Sequence, residues 1–159
     1  MNQYVEIVER LGNPSERFEA AHLMSAGGRG ARENRGKQLP DEKIDALIWG
    51  LSHKNPVVRR CCLELLDQHP DPRAVPHILA ALGDPVPRVR WHAVHALLCD
   101  ACKDGGLFLT PEIAARLDLV ASGDASAKVR NYARTALATI RQPGPNPASN
   151  RGVNRRESP

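Results

Sequence analysis

The residues best suited to chemistry in this chain are His92, His95, Cys99 and Cys102. At about 100° per residue the four fall within roughly an 80° arc of one helix, on a flank beside its apolar stripe. Imidazole and thiolate are zinc ligands at about 2.0 to 2.3 Å, which raises a metal site. Residues ten apart on a straight helix are separated by roughly 15 Å along its axis, so the four cannot share one ion. A pair is the most this helix offers: Cys99 with Cys102, or His95 with Cys99. Either pair needs Cys61, Cys62 or another residue from a neighbouring helix to complete a tetrahedron. A single C-x-x-C within a helix is ordinary, whereas zinc fingers use two such pairs. The plainer expectation is small polar groups packing between helices, with no metal, no cofactor and no catalytic residue. The chain carries no G-x-S-x-G, no phosphate-binding glycine loop and no H-E-x-x-H.

The stripe must be positioned by a repeated unit. From Val89 the apolar residues Val89, Ala93, Ala96 and Leu97 share one helical face, after the stop-start signal Gly83-Asp84-Pro85-Val86-Pro87. Moving back 31 positions gives Val58, Arg59, Cys62, Leu65 and Leu66, with Pro56 for Pro87; moving forward 40 gives Val129, Arg130, Ala133, Ala136 and Leu137. A fainter copy begins at Asn13-Pro14 with Arg17, Ala20, Ala21, Leu23 and Met24. Each good copy is preceded by a second amphipathic helix: Asp41 to about Leu51, a helix starting near Pro76 with Ile78, Leu79 and Leu82, and Pro111 to about Ala121 with Thr110 as N-cap. The copies themselves predict helices over 56–67, 87–102 and 126–141. A helix pair of this size cannot bury its stripe alone, so pairs must stack on one another.

Segments D71-P-R-A-V-P-H-I-L-A-A-L82, D84-P-V-P-R-V-R-W-H-A-V-H-A-L-L98 and D124-A-S-A-K-V-R130 resemble the HEAT-repeat proteins of the short bacterial type named after phycobilisome lyases. The resemblance implies an all-α fold, a right-handed α-α superhelix with three good repeats and one degenerate N-terminal repeat. It also implies a ladder in which Arg59, Arg90 and Arg130, each six residues after His53, Asp84 or Asp124, join adjacent repeats through Asp84 and Asp124. His53 in place of an Asp weakens that step. In such folds the second helix of each pair lines the concave face, which makes Arg60, Cys61, Glu64, Trp91, His92, His95, Cys99, Tyr132 and Arg134 the expected contact residues. Cys62, standing where Ala93 does, reads as a buried small hydrophobe, and Asp100 falls on the core-facing side of its helix.

Composition narrows the function classes. Of 159 residues 42% are hydrophobic, enough for a core, while the net charge of +4 is unevenly spread. Arg29 to Lys37 carries net +3 and residues 142–159 net +2, leaving the remainder at −1. The expected division is a degenerate helical repeat over 1–28, a basic Gly-rich linker at 29–39, repeats over 40–141 and a basic tail at 142–159 that does not fold. A near-neutral body argues against nucleic acid as the partner. With no run of 18 apolar residues and no signal-peptide pattern at the start, a cytoplasmic location with reduced thiols is expected, and no membrane partner. The leading expectation is a non-catalytic module or scaffold that binds a protein or peptide on the concave face. Nucleic-acid binding and a metal- or thiol-dependent lyase-like activity are the alternatives.

Overall fold

A computed structural model describes residues 2–25, 38–99 and 110–141, and among these residues every regular element is helical. In chain order they are α1 (Gln3–Arg10), α2 (Arg17–Met24), α3 (Asp41–Gly50), α4 (Pro56–Gln68), a 3-10 turn at Pro72–Ala74 leading into α5 (Val75–Ala81), α6 (Pro87–Leu98), α7 (Pro111–Gly123) and α8 (Ala127–Arg141). Local chemistry sets the starts. Asn55 Oδ1 accepts from the Val57 amide at 2.9 Å and Thr110 Oγ1 from the Ile113 amide at 3.3 Å, satisfying donors that the first turn leaves free. Pro56, Pro76, Pro87 and Pro111 all stand in first turns, where a missing N–H is harmless.

The helices α4, α6 and α8 pack side by side in one row, with α3, α5 and α7 each lying against its row member. Their buried residues repeat in register: Val58, Val89 and Val129; Cys62, Ala93 and Ala133; Leu66, Leu97 and Leu137. The small residue in the middle of each set lets the first helix of the pair approach closely, and the larger ones fill the layer between. At about 25 cal/mol per Å², each buried Leu or Val contributes roughly 1.5 to 3 kcal/mol, so the periodic apolar pattern carries the stability.

Arginines tie the row together at its turns. Arg90 Nη1 donates to the Asp84 carbonyl at 2.8 Å, while its Nε and Nη2 grip both oxygens of Asp124 at 2.7 and 2.8 Å. Arg59 does the same one step earlier, donating to the His53 carbonyl at 2.8 Å and to Asp84 at 2.6 and 2.9 Å. Arg130 donates to the Asp124 carbonyl at the last step, and Arg17 Nε to the Leu11 carbonyl at 2.9 Å at the first. His53 keeps part of the Asp role: its Nδ1 accepts from the Asn55 amide at 3.0 Å, as Asp84 and Asp124 accept from Val86 and Ser126. It offers no carboxylate to Arg17.

Two features go beyond the sequence reading or correct it. The helix expected over 87–102 ends at Leu98, and Cys99 leaves helical geometry with φ −72° and ψ 102° while its amide caps the His95 carbonyl at 2.9 Å. One more turn would carry Asp100 onto the core-facing side, where a carboxylate is costly. Cys102, Asp100 and the expected basic segments 29–37 and 142–159 lie outside the described residues. The second feature is α1, which lies inside the degenerate repeat expected over 1–28 but has no register positions assigned to it. Asn2 caps it by accepting from the Tyr4 amide at 3.0 Å, and Val8 and Leu11 are fully buried against α3 and its neighbours.

Helix α1 reaches that depth because α3 ends in Gly50. A Cβ there would lie 2.5 Å from Cys62 Sγ and 2.8 Å from Val8 Cγ1, so α1, α3 and α4 meet at a point where no side chain fits. Gly50→Ala is therefore expected to cost about 1 to 3 kcal/mol in urea unfolding, as overpacking does. Combining it with Cys62→Ala should recover part of the loss. Equal losses in the single and double variants would show that the contact is not the cause.

Candidate functional site

The exposed flank of the row is built by α4, α6 and α8. Positions 61, 92 and 132 are register-equivalent, as are 60, 91 and 131, and 64, 95 and 135. On α6 these slots hold His92, Trp91 and His95, and they converge with Tyr132 of α8. The Trp91 and Tyr132 rings are 4.5 Å apart and tilted by 35°, Trp91 lies 5.4 Å from His95, and His95 stacks on Tyr132 at 6.0 Å with the planes 7° apart. His92 meets the Trp91 edge at 4.8 Å. Trp91 and Tyr132 are half-buried, packed against the core on one side and open on the other. Lys128 Nζ sits 5.9 Å above the Trp91 ring, a cation–π distance, beside a cleft of about 300 Å³ lined by Pro87, Arg88, Trp91, Ser126, Lys128 and Val129.

The neighbouring cleft, about 170 Å³, lies between α4 and α6 and is lined by Leu63, Glu64, Asp67, Gln68, His92 and His95. Arg60 closes on Glu64 at 2.5 Å across one turn, and His92 Nε2 lies 3.4 Å from the same carboxylate. Burial first, then the Arg60 guanidinium, pushes His92 down to about 4, so at neutral pH it is an uncharged neighbour of Glu64. His95 Nδ1 lies 3.3 Å from Oδ2 of Asp67, whose side chain is 7% exposed. Ligand atoms of Asp67, His95 and Cys99 all fall within 4.8 Å of one another.

Several expected contact residues sit elsewhere. Cys61 is buried, 5% exposed, so it is not available on the face. Burial pushes the thiols of both Cys61 and Cys62 up, which removes them as thiolate nucleophiles near neutral pH. Arg134 is exposed but occupies the slot of Leu63 and Val94, the face that meets the next helix of the row. On α8 no described helix follows. Arg134 lies at that end and donates to the Ala121 carbonyl at 2.9 Å. Cys99 stands at the C-cap of α6, one residue past its last helical position. Asp67 was not singled out by the sequence pattern, although a signal existed: its slot is filled by buried Leu98 one repeat on. The ladder residues Arg59, Asp84, Arg90, Asp124 and Arg130 are occupied with one another at the turns and line neither cleft themselves.

Stacked helix pairs with a polar ladder and an open flank define a helical-repeat protein in the manner of an α-α solenoid. Residues 44–99, from α3 through α6, match the family model for HEAT repeats. No curated protein matches the chain. No helix among the described residues is long and apolar enough to cross a membrane.

The titration of His92 has a measurable sign. Its native pKa lies below the ordinary value of 6.5, so between about 6.5 and 4 the unfolded chain binds a proton that the native chain does not. Stability contributed by His92 is full above 6.5 and is lost as pH falls toward 4. Chemical denaturation between about pH 6.5 and 5 should show falling stability that flattens in His92→Gln; an unchanged slope in that variant would contradict the assignment.

Proposed function

We propose that this chain is a non-catalytic interaction module, a short right-handed superhelix of three good HEAT repeats over 40–141 behind a degenerate one in 1–28, of the short bacterial type. On this reading α4, α6 and α8 form the concave side, and a protein or peptide is held there in the cytoplasm. The observation that carries the reading is Trp91, half-open, braced by Tyr132 at 4.5 Å and flanked by the charges of Lys128 and Arg88 at one cleft. A braced aromatic loses little freedom on binding, and such residues dominate interface energies. HEAT repeats commonly mediate protein interaction, which supports the same reading.

The partner chemistry follows from the lining. Pro87, Val129 and the Trp91 face suit an apolar side chain, while Arg88 and Lys128 suit a carboxylate beside it. Arg60 and Glu64 largely satisfy each other and serve as a polar rim. A body at net −1 supports a protein partner over nucleic acid.

Peptide display against the untagged chain tests this. Selected peptides should combine an apolar anchor with an acidic residue, and Trp91→Ala and Lys128→Glu should each weaken them at least about tenfold with helicity unchanged. Selections that enrich nothing, or peptides indifferent to both substitutions, would contradict the proposal.

A further inference from the structure

The repeat pattern separates architecture from exception. Val58, Val89 and Val129 recur, as do the ladder arginines, and what recurs in every unit builds the stack. His95 and Cys99 do not recur: their slots hold Glu64 and Gln68 one repeat before, and Thr135 and Thr139 one repeat after. Asp67 is the sharper exception. It puts a carboxylate, 5% exposed, where Leu98 is buried in the next repeat, and a buried carboxylate is costly unless a specific partner holds it. The three exceptions converge on one point between the ends of α4 and α6.

We propose that Asp67, His95 and Cys99 form a binding site for a transition-metal cation, zinc being the ion their chemistry fits best. The spacing suits it. Ligands at about 2.0 to 2.3 Å in a tetrahedron stand roughly 3.3 to 3.8 Å from one another, and His95 Nδ1 and Asp67 Oδ2 are already 3.3 Å apart. Cys99 Sγ completes a triangle with no edge beyond 4.8 Å. His95 and Cys99 stand four apart, the spacing that brings two side chains together on one helical face. One imidazole, one carboxylate and one thiolate select a borderline ion over magnesium or calcium, and the two negative charges balance a divalent cation. The Cys99 thiol gives up its proton to water on binding.

The surroundings fit an ion as well. Trp91 at 5.4 Å and Tyr132 stacked at 6.0 Å fix the plane of the His95 ring, so the ligand is oriented beforehand. The 170 Å³ cleft bounded by Asp67, His95, Gln68 and Glu64 opens onto the same point. Three protein ligands with an open fourth position leave room for water or for a group brought by a bound partner. The inference stands apart from the docking face: either can fail alone.

The test uses the full, untagged chain in its reduced form, with Zn²⁺ for affinity and Co²⁺ for spectra. Expected are one zinc per chain, and a cobalt form with tetrahedral d–d bands and a thiolate-to-cobalt charge-transfer band. Cys99→Ser should abolish that band and weaken zinc at least about tenfold, with His95→Gln weakening it similarly. Cys102→Ser should leave both unchanged. Absence of bound metal, a cobalt spectrum lacking the thiolate band, a band that survives Cys99→Ser, or one lost with Cys102→Ser would each overturn the site. The unaltered chain supplies the spectrum without any substitution, so a variant that fails to fold does not decide the matter.

Discussion

The structure depends on one repeated contact, an arginine that closes its own turn and grips the aspartate of the next. Arg59 and Arg90 each spend one nitrogen on the carbonyl six residues back and two on a carboxylate about thirty positions ahead. Hydrophobic burial drives the helices together but is nearly indifferent to small sliding of one apolar ridge along another. A planar guanidinium meeting a planar carboxylate is not indifferent, since both bonds must form at once. The side chains are largely buried, with Asp124 at 5% and Asp84 at 7% exposed, so water does not compete freely. Arg90 accordingly holds the Asp124 carboxyl below the usual carboxylate range. The rung therefore sets the register between neighbours, and the flank inherits its geometry from that register.

Much of this is legible in the chain because the period is. Valine, arginine, a small residue and leucine return at fixed offsets, and prolines mark the starts of α4 to α7, so α3 to α8 can be drawn before any coordinates. Other features lack a local signal. Helix α1 has no register partner, and what lets Val8 into the core is the bare Cα of Gly50 on another helix. Cys61 looks exposed by its slot, yet it is buried. Arg134 reads as a face residue, yet it is exposed in a slot that Leu63 and Val94 fill as buried residues in the other two repeats, and no described helix follows α8. The pairing of Asp67 with His95 is a tertiary fact, since no spacing rule links positions 28 apart on two helices.

Where the pattern is broken, the chemistry collects. Trp91, His92, His95 and Tyr132 differ from their register equivalents, as do Asp67 and Cys99, and all six lie along the α4–α6–α8 flank. Stacked repeats tolerate this because the layer of leucine and valine beneath carries the stability, leaving the flank free to vary. The aromatic group also joins the two clefts: His95 faces Asp67 on one side and stacks on Tyr132 on the other. His95, which lines one cleft, also lies 5.4 Å from Trp91, which lines the other.

The central claim is that the Arg–Asp rungs, and not burial alone, fix how the helices stack. A double-mutant cycle on Arg90→Ala and Asp124→Ala, measured by urea unfolding, addresses it directly. The account predicts that each single substitution costs about 3 kcal/mol, with a coupling of about 2 kcal/mol or more between them. Small losses that simply add would mean that the leucine and valine layer sets the register without help, and the account would be wrong.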